Sequence, residues 1–269
     1  MFQRRRLLSP WMRFGGCRVT ESVASKSAVR GASPEGTQDP MQASRAVRDM
    51  FTAIAPRYDL LNHLLSANVD KLWWRRTAKT FAGVLSQKST QVLDLCCGTG
   101  DMAFALKREG PACQITGADF SHTMLQLAMA KSHKASPHWI EADALRLPFP
   151  DRSFHLVTSA FGFRNLADYN AGLNEIFRVL RPGGEVGILE FNEPRGIVGK
   201  LYNLYFKQVL PRIGRWISGN PAAYSYLPAS VSRFPGPDEV LRRMQAAGFR
   251  DVSWAPYTFG IAGLFRGRR

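Results

Sequence analysis

Gly98 and Gly100, separated by one residue, follow directly on an apolar run, Val-Leu-Asp-Leu-Cys-Cys, at residues 92–97. A carboxylate, Asp119, closes the next apolar run nineteen residues after Gly100. Glycine at such a turn lets the backbone bend sharply and approach a ligand with no Cβ in the way. A helix that starts there points its unpaired N–H groups back at the same spot. An acid at the end of the second strand, at this spacing, accepts hydrogen bonds from both hydroxyls of a ribose. The turn alone would be an ordinary tight turn; turn, strand and acid together describe a nucleoside-binding crevice.

Groups so spaced need a frame to hold them. Apolar runs at residues 92–97, 115–119, 138–143, 155–161 and 185–192 alternate with helical segments at 102–110, 121–133 and 169–180. Short runs buried on both faces and separated by helices predict an α/β fold with a doubly wound parallel sheet. Residues 237–249 read as a helix and residues 251–265 as two further strands. Before the first strand, Ala46, Val47, Met50, Phe51 and Ile54 recur at three- and four-residue steps until Pro56 interrupts them, and Leu72, Trp73, Trp74 and Phe81 mark a second helical stretch. Residues 41–88 are therefore expected to form a helical cover. The sequence Arg-Pro-Gly-Gly at 181–184 reads as a helix-ending turn before the fifth strand.

Two ligand classes fit this crevice. The residues 98–103 satisfy the dinucleotide fingerprint G-x-G-x-x-[GA], which would make the chain an NAD(P)-dependent oxidoreductase. Against that, Asp101 stands where it would repel a pyrophosphate, no Tyr is followed four residues later by Lys, and residues 141–157 have no role in a dinucleotide motif. Residues 93–101 and the Glu-Ala-Asp-Ala-Leu-Arg-Leu-Pro-Phe stretch at 141–149 instead resemble the class I methyltransferases. That resemblance implies a Rossmann-like, mostly parallel seven-stranded sheet with S-adenosyl-L-methionine across the carboxyl ends of its first strands. Gly98, Thr99 and Gly100 would then hold the methionine part, Asp119 the ribose, and Asp143 with Ala144 the adenine. Cys96 stands where the family's first glycine usually is.

Three motifs narrow the resemblance to the ubiquinone/menaquinone C-methyltransferase family. Residues 58–74 resemble its first signature through Tyr58, Asp59, Asn62, Ser66 and Trp73, with Asp70 where a histidine is often found. Residues 178–191 resemble the second through Glu190 and Phe191, and Phe-Gly-Phe-Arg-Asn at 161–165 matches a third. Ala160 replaces a serine common there. The resemblance covers residues 45–267 and implies methylation of a quinol ring carbon: demethylmenaquinol to menaquinol, or alternatively a ubiquinone-pathway benzoquinol. A phenol with a pKa of about 10 is only about one-thousandth ionised at pH 7, a cost of roughly 4 kcal/mol before its ring carbon becomes nucleophilic. Arg164 is expected to stabilise the phenolate, or orient a water that takes the proton, and Asn165 to fix the ring oxygen. The alternative for Arg164 is a structural ion pair. Trp73 and Trp74 read as packing and cofactor cover, and His63 as a solvated or capping residue.

Composition bounds the partners. The 269 residues carry a formal net charge of +15 and are 45% hydrophobic, which allows a packed core and favours anionic surfaces. No run reaches the ~18 apolar residues of a membrane-spanning helix. The four cysteines lack metal or redox spacing and read as reduced structural thiols of an intracellular chain, with no metal expected. Seven Lys or Arg against Glu21 before residue 34 mark residues 1–40 as a basic tail or a mitochondrial presequence. Residues 41–269 form the catalytic domain. Within it, the stretch 194–237 has no Asp or Glu and interleaves Lys200, Lys207, Arg212 and Arg215 with Tyr202, Tyr205, Phe206, Trp216, Tyr224 and Tyr226. It reads as a face for substrate and an anionic membrane surface, or as a lid helix. The expected partners are a polyprenylated quinol and that membrane, with the enzyme cytoplasmic and peripheral to its inner face, or in the mitochondrial matrix if the tail is a presequence. An RNA-binding methyltransferase is the rival for the same basic stretch, but no RNA-binding module is recognisable, so no nucleic acid is expected. A homodimer is left open.

Overall fold

The first helix, α1 (Pro40–Ile54), starts where its caps require. Asp39 is extended, its carboxylate accepts a 2.8 Å hydrogen bond from the Gln42 amide, and Pro40 occupies the first helical position, where its missing N–H costs nothing. A computed structural model describes residues 30–34, 36–55, 68–133, 137–194, 196, 199 and 221–269. After α1 come α2 (Val69–Thr80) and α3 (Ala82–Leu85), then β1 (Gln91–Leu95), α4 (Asp101–Glu109), β2 (Gln114–Asp119), α5 (His122–Ala130), β3 (His138–Glu141), β4 (Phe154–Ala160), α6 (Tyr169–Val179) and β5 (Leu180–Phe191). The chain closes with α7 (Pro221–Arg233), α8 (Pro237–Ala246), β6 (Arg250–Tyr257) and β7 (Ala262–Arg268).

The seven strands lie in the order β3-β2-β1-β4-β5-β7-β6. The first five are parallel, and β7 runs antiparallel between β5 and β6. Because β1 is flanked by β2 on one side and β4 on the other, the winding reverses there and opens a crevice at the carboxyl ends of the strands. Alternate strand residues feed two cores. Leu93, Leu95, Val157, Val186 and Ile188 pack with α6 and α8 on one face, and Val92, Ile115, Leu156, Leu189 and Leu264 pack under α2 and α4 on the other. All ten are essentially solvent-free, at about 1.5–3 kcal/mol of transfer energy each relative to exposure. This sheet and its helical cover are the fold expected from the alternation of runs.

Three details depart from expectation or extend it. The Arg-Pro-Gly-Gly turn is a bulge within β5, whose pairing with β4 jumps from Phe154–Leu180 to Leu156–Glu185 while Gly183 adopts φ +77°. Residues 30–33, placed by the sequence in the basic tail, lie against the loop before α6. Ala32 donates to the Leu166 carbonyl at 2.7 Å, the Tyr169 amide donates to the Arg30 carbonyl at 2.9 Å, and the Arg30 guanidinium meets Asp168 at 2.6 Å. Gly31 is required there, since a Cβ would stand 2.1 Å from the Ala167 carbonyl oxygen. Finally, Tyr58, Asp59, Asn62, His63 and Ser66, the rest of the tail and the basic-aromatic residues 200–220 fall outside the described residues.

Candidate active site

The donor half of the site is built almost entirely from β1, β2 and the turn between β1 and α4. Cys97 donates to the Ala118 carbonyl at 3.0 Å, and Gly98 donates to Asp119 Oδ2 at 2.8 Å, so the turn is stitched to the end of β2. Asp119 Oδ1 takes the Ser121 amide at 2.9 Å. With each oxygen holding one N–H, the carboxylate is fixed in direction and retains lone pairs toward the crevice. Burial pushes its pKa up to about 6, against the pull of the Ser121 and Gly98 amides. Gly100, at φ +88°, allows neither strain nor bulk: a Cβ would stand 2.4 Å from the Trp139 ring. Cys96, where glycine would be at ease, also has positive φ, +55°. It fits because Gly162 opposite has no side chain; a Cβ there would lie 2.3 Å from that of Cys96.

One residue that sequence reasoning passed over sits beneath this turn. Asp94 is completely buried; Thr158 donates to its Oδ1 at 2.8 Å, and its Oδ2 has no hydrogen-bond partner. Burial raises its pKa to about 7, against the pull of the Thr158 hydroxyl and the Ala103 amide, with Asp119 and Asp101 adding repulsion. The signal was present: a carboxylate in the middle of an apolar run either finds a partner or waits for one.

Two clefts flank the turn. The larger, about 670 Å³, is bounded by Gly98, Asp119, Asp143 and Ala144 on the donor side, Phe161 and Asn165 on the other, and Ser44 and Phe51 of α1 above. The smaller, about 400 Å³, includes Asp94, Gly98, Thr99, Trp74 and Phe161. The structure thus brings together Gly98, Asp119, Asp143, Ala144 and Asn165 around the larger cleft and Thr99 at the smaller, the two sharing Cys96, Gly98, Ala160 and Phe161 as a common wall. Gly100 lies behind it.

Arg164, expected to face a substrate ring, is not among the described residues that line either cleft. It is 5% exposed, and its Nη1 meets Glu190 Oε2 at 3.0 Å and also donates to the Phe161 carbonyl. Its own amide donates to Glu190 Oε1 at 3.0 Å, and Nε lies 3.4 Å from Ser230 Oγ. The ion pair weighed as the alternative is present. Glu190, matched in a signature but given no role, is its fully buried counter-ion. This pair ties β5 to the 3₁₀ turn Phe163–Asn165 and so aims Asn165 at the cleft. The Asn165 amide is oriented further: Tyr226 of α7 donates to its Oδ1 at 3.0 Å, and its Nδ2 lies 3.5 Å from the Phe161 carbonyl. Burial raises the Tyr226 pKa, so the phenol stays a donor at neutral pH.

Aromatic rings close the far wall. Phe161, itself at φ +59°, stacks on Phe191 with centroids 4.4 Å apart, and Trp73 meets both rings at 5.7 and 6.0 Å. Trp73 and Trp74 are buried, as packing residues should be.

The site fits an adenosyl sulfonium donor on the structure's own terms: Asp119 for two hydroxyls, the orphaned Asp94 oxygen for an ammonium, and an apolar floor at Ala144. Comparison with known proteins agrees. Residues 39–269 match the ubiE/COQ5 methyltransferase family. The chain is 50% identical over 232 residues to a demethylmenaquinone methyltransferase of Deinococcus radiodurans, spanning 85% of this chain and 95% of that one. A demethylmenaquinone methyltransferase of Thermus thermophilus is 49% identical over 223 residues, spanning 82% of this chain and all of the relative. Among solved structures, a SAM-dependent methyltransferase of Thermotoga maritima superposes with a TM-score of 0.59 at 19% identity, covering 82% of this chain and 99% of that one, a likeness of fold.

Proposed function

The chain belongs to the ubiE/COQ5 methyltransferase family, and from that premise we propose that it methylates a ring carbon of a polyprenylated quinol, demethylmenaquinol being the acceptor. The dinucleotide reading of the glycine turn gives way to this one. S-adenosylmethionine supplies an activated methyl group on a sulfonium. The observation that carries the proposal is that Asp119, Asp143 and Ala144 share one cleft with Asn165 and Phe161, so donor and acceptor groups open onto a common, largely apolar space.

The protein's own contributions follow from that arrangement. Asp119 receives the ribose hydroxyls and Ala144 the adenine face. Ionised Asp94 takes the ammonium through the oxygen that lacks a partner. Asn165, with Tyr226 holding its Oδ1, turns amide hydrogens toward a ring oxygen and stabilises the phenolate as it forms. Arg164 acts through Asn165 as a positioning residue. The Phe161, Phe191 and Trp73 rings hold the ring plane and keep water from the transfer. With the donor bound, the ring carbon would take the methyl as the carbon–sulfur bond breaks and the neutral thioether is left behind, and that carbon would then release its one proton to solvent. Because the tail of such a quinol resides in lipid, the enzyme works at a bilayer surface; the proposed site of action is the cytoplasmic face.

The test is purified protein with methyl-labelled adenosylmethionine and demethylmenaquinol, followed by mass spectrometry of the quinone. Label in the ring methyl position is the expected result. Label confined to oxygen, or none with either quinol class, refutes the proposal.

A further inference from the structure

Among the described residues, no helix is long and apolar enough to cross a membrane, yet two large apolar side chains stand out in water on neighbouring elements. Leu72 on α2 is 60% exposed, and Phe259 in the Thr258–Gly260 turn is 85% exposed. Phe259 holds φ +57°, a left-handed backbone that a bulky residue adopts only under constraint. The constraint is visible. Trp73 Nε1 donates to Thr258 Oγ1 at 2.8 Å, and the Arg76 guanidinium covers the Tyr257 ring at 4.1 Å, so the turn is fastened to α2 with its phenyl ring outward.

The same face is basic. The sequence of α2, VDKLWWRRTAKT, puts Trp73, Trp74, Thr77 and Ala78 inward and leaves Lys71, Leu72, Arg75, Arg76 and Lys79 outward. Its single acid, Asp70, is buried. Among the described residues Lys71, Arg75 and Lys79 make no ion pair, and Arg108 of α4 adds a further base across the groove they border, where Asp101 and Glu109 are the only acids. Apolar tips flanked by unpaired bases match a phospholipid surface, whose acyl layer takes the tips and whose anionic headgroups take the charge.

The face also stands at the right place. The Thr258–Gly260 turn joins β6 to β7, and Ala262 pairs with Phe191 at the carboxyl end of β5, the same end of the sheet as the crevice. Inward from Phe259, Trp73 touches Phe161 and Phe191, and Phe161 borders both clefts.

We propose that the outer face of α2 and the Thr258–Gly260 turn dock the enzyme on an anionic phospholipid bilayer, Leu72 and Phe259 entering the acyl region. A lipid-borne acceptor then reaches the crevice across the Trp73–Phe161–Phe191 rings. This rests on the quinol reading for its purpose, though the docking itself can be measured alone.

The experiment uses the full chain in sedimentation with phosphatidylglycerol-containing vesicles and with pure phosphatidylcholine vesicles. Two variants built from different residues are compared, Leu72→Glu/Phe259→Glu and Arg75→Glu/Lys79→Glu; all four positions lie outside the crevice. Wild type should sediment with the anionic vesicles and not with the neutral ones. At about fivefold in partitioning per base, Arg75→Glu/Lys79→Glu should lose about twenty-fivefold or more, and Leu72→Glu/Phe259→Glu, which replaces two inserted apolar tips with anions, about tenfold or more. Both should bind adenosylhomocysteine as wild type does in calorimetry and methylate a tail-free demethylnaphthoquinol in solution at the wild-type rate. Wild-type binding to neither vesicle, equal binding to both, or undiminished binding by both variants overturns the proposal. Retention on RNA in place of anionic vesicles overturns it as well. If wild type leaves the tail-free quinol unmethylated, the functional reading fails while the docking result stands by itself.

Discussion

The donor and acceptor halves of the crevice are built in different ways. The centre of the donor half, Gly98, Asp119 and Asp94, comes from a single strand-turn-helix-strand unit, with Gly98 and Asp119 joined by one hydrogen bond, and the loop after β3 adds only Asp143 and Ala144. The acceptor half is gathered from separated stretches of chain. Asn165 is aimed by Glu190 through Arg164, by Tyr226 and Ser230 of α7, and by residues 30–33 at the other end of the sequence. A local unit keeps its geometry when the rest of the fold changes, which suits a donor common to many reactions. An assembled unit changes whenever one contributor does, which suits an acceptor pocket that must discriminate.

The comparison breaks first at Arg164. If it is a fastener, Arg164→Met strands a buried carboxylate and costs about 3–5 kcal/mol, which lowers Tm by roughly 10 °C in scanning calorimetry. The double variant Arg164→Met/Glu190→Leu should recover most of that loss while turnover stays low, because Asn165 is no longer aimed. Unchanged Tm with lost turnover would put the guanidinium on the substrate and erase the contrast.

On the donor side, Asp119→Ala removes the acceptor of two hydroxyls. Calorimetric affinity for adenosylmethionine and adenosylhomocysteine should fall about a hundredfold, with the KM for quinol nearly unchanged. A matching loss of quinol affinity would mean that the halves are not separable.

A smaller effect comes from Asp94. A carboxyl whose folded pKa is about 7, above its unfolded value, stabilises the ligand-free fold most below pH 4, and that stability is lost as pH rises to 7. Binding an ammonium favours the ionised form, so donor affinity should rise about tenfold between pH 6 and 8, with proton release on binding near neutral pH. Asp94→Asn should flatten the profile; an unaltered profile would remove Asp94 from the donor half.

The mildest change is Tyr226→Phe, which deletes one neutral hydrogen bond worth about 1 kcal/mol and should lower kcat about fivefold with donor affinity intact. An effect on donor affinity would tie α7 to the wrong half.

The same contrast explains what could be read from the sequence. The alternating apolar runs and the glycine-to-acid spacing specify the strand pattern and the Gly98–Asp119 centre of the donor half because each depends on residues within thirty positions of one another. Asn165 and Arg164 were recognisable as a motif, but the direction of the Arg164 side chain was not. That direction depends on Glu190 at the end of another strand, and an arginine gives no local sign of its partner. Gly31 and Ala32 were indistinguishable from tail because small residues become meaningful only against the backbone they touch.

Those small residues carry a practical corollary. The family likeness begins at residue 39, and a protein shortened to that point would retain every recognisable motif and the whole sheet. It would still lose the Arg30–Asp168 contact, the amide rung between Ala32 and Leu166 and the seat of the Arg233 guanidinium on the Ser33 carbonyl. The catalytic unit therefore reaches upstream of the family likeness to include Arg30, and proteolytic trimming past that residue should disturb the aim of Asn165.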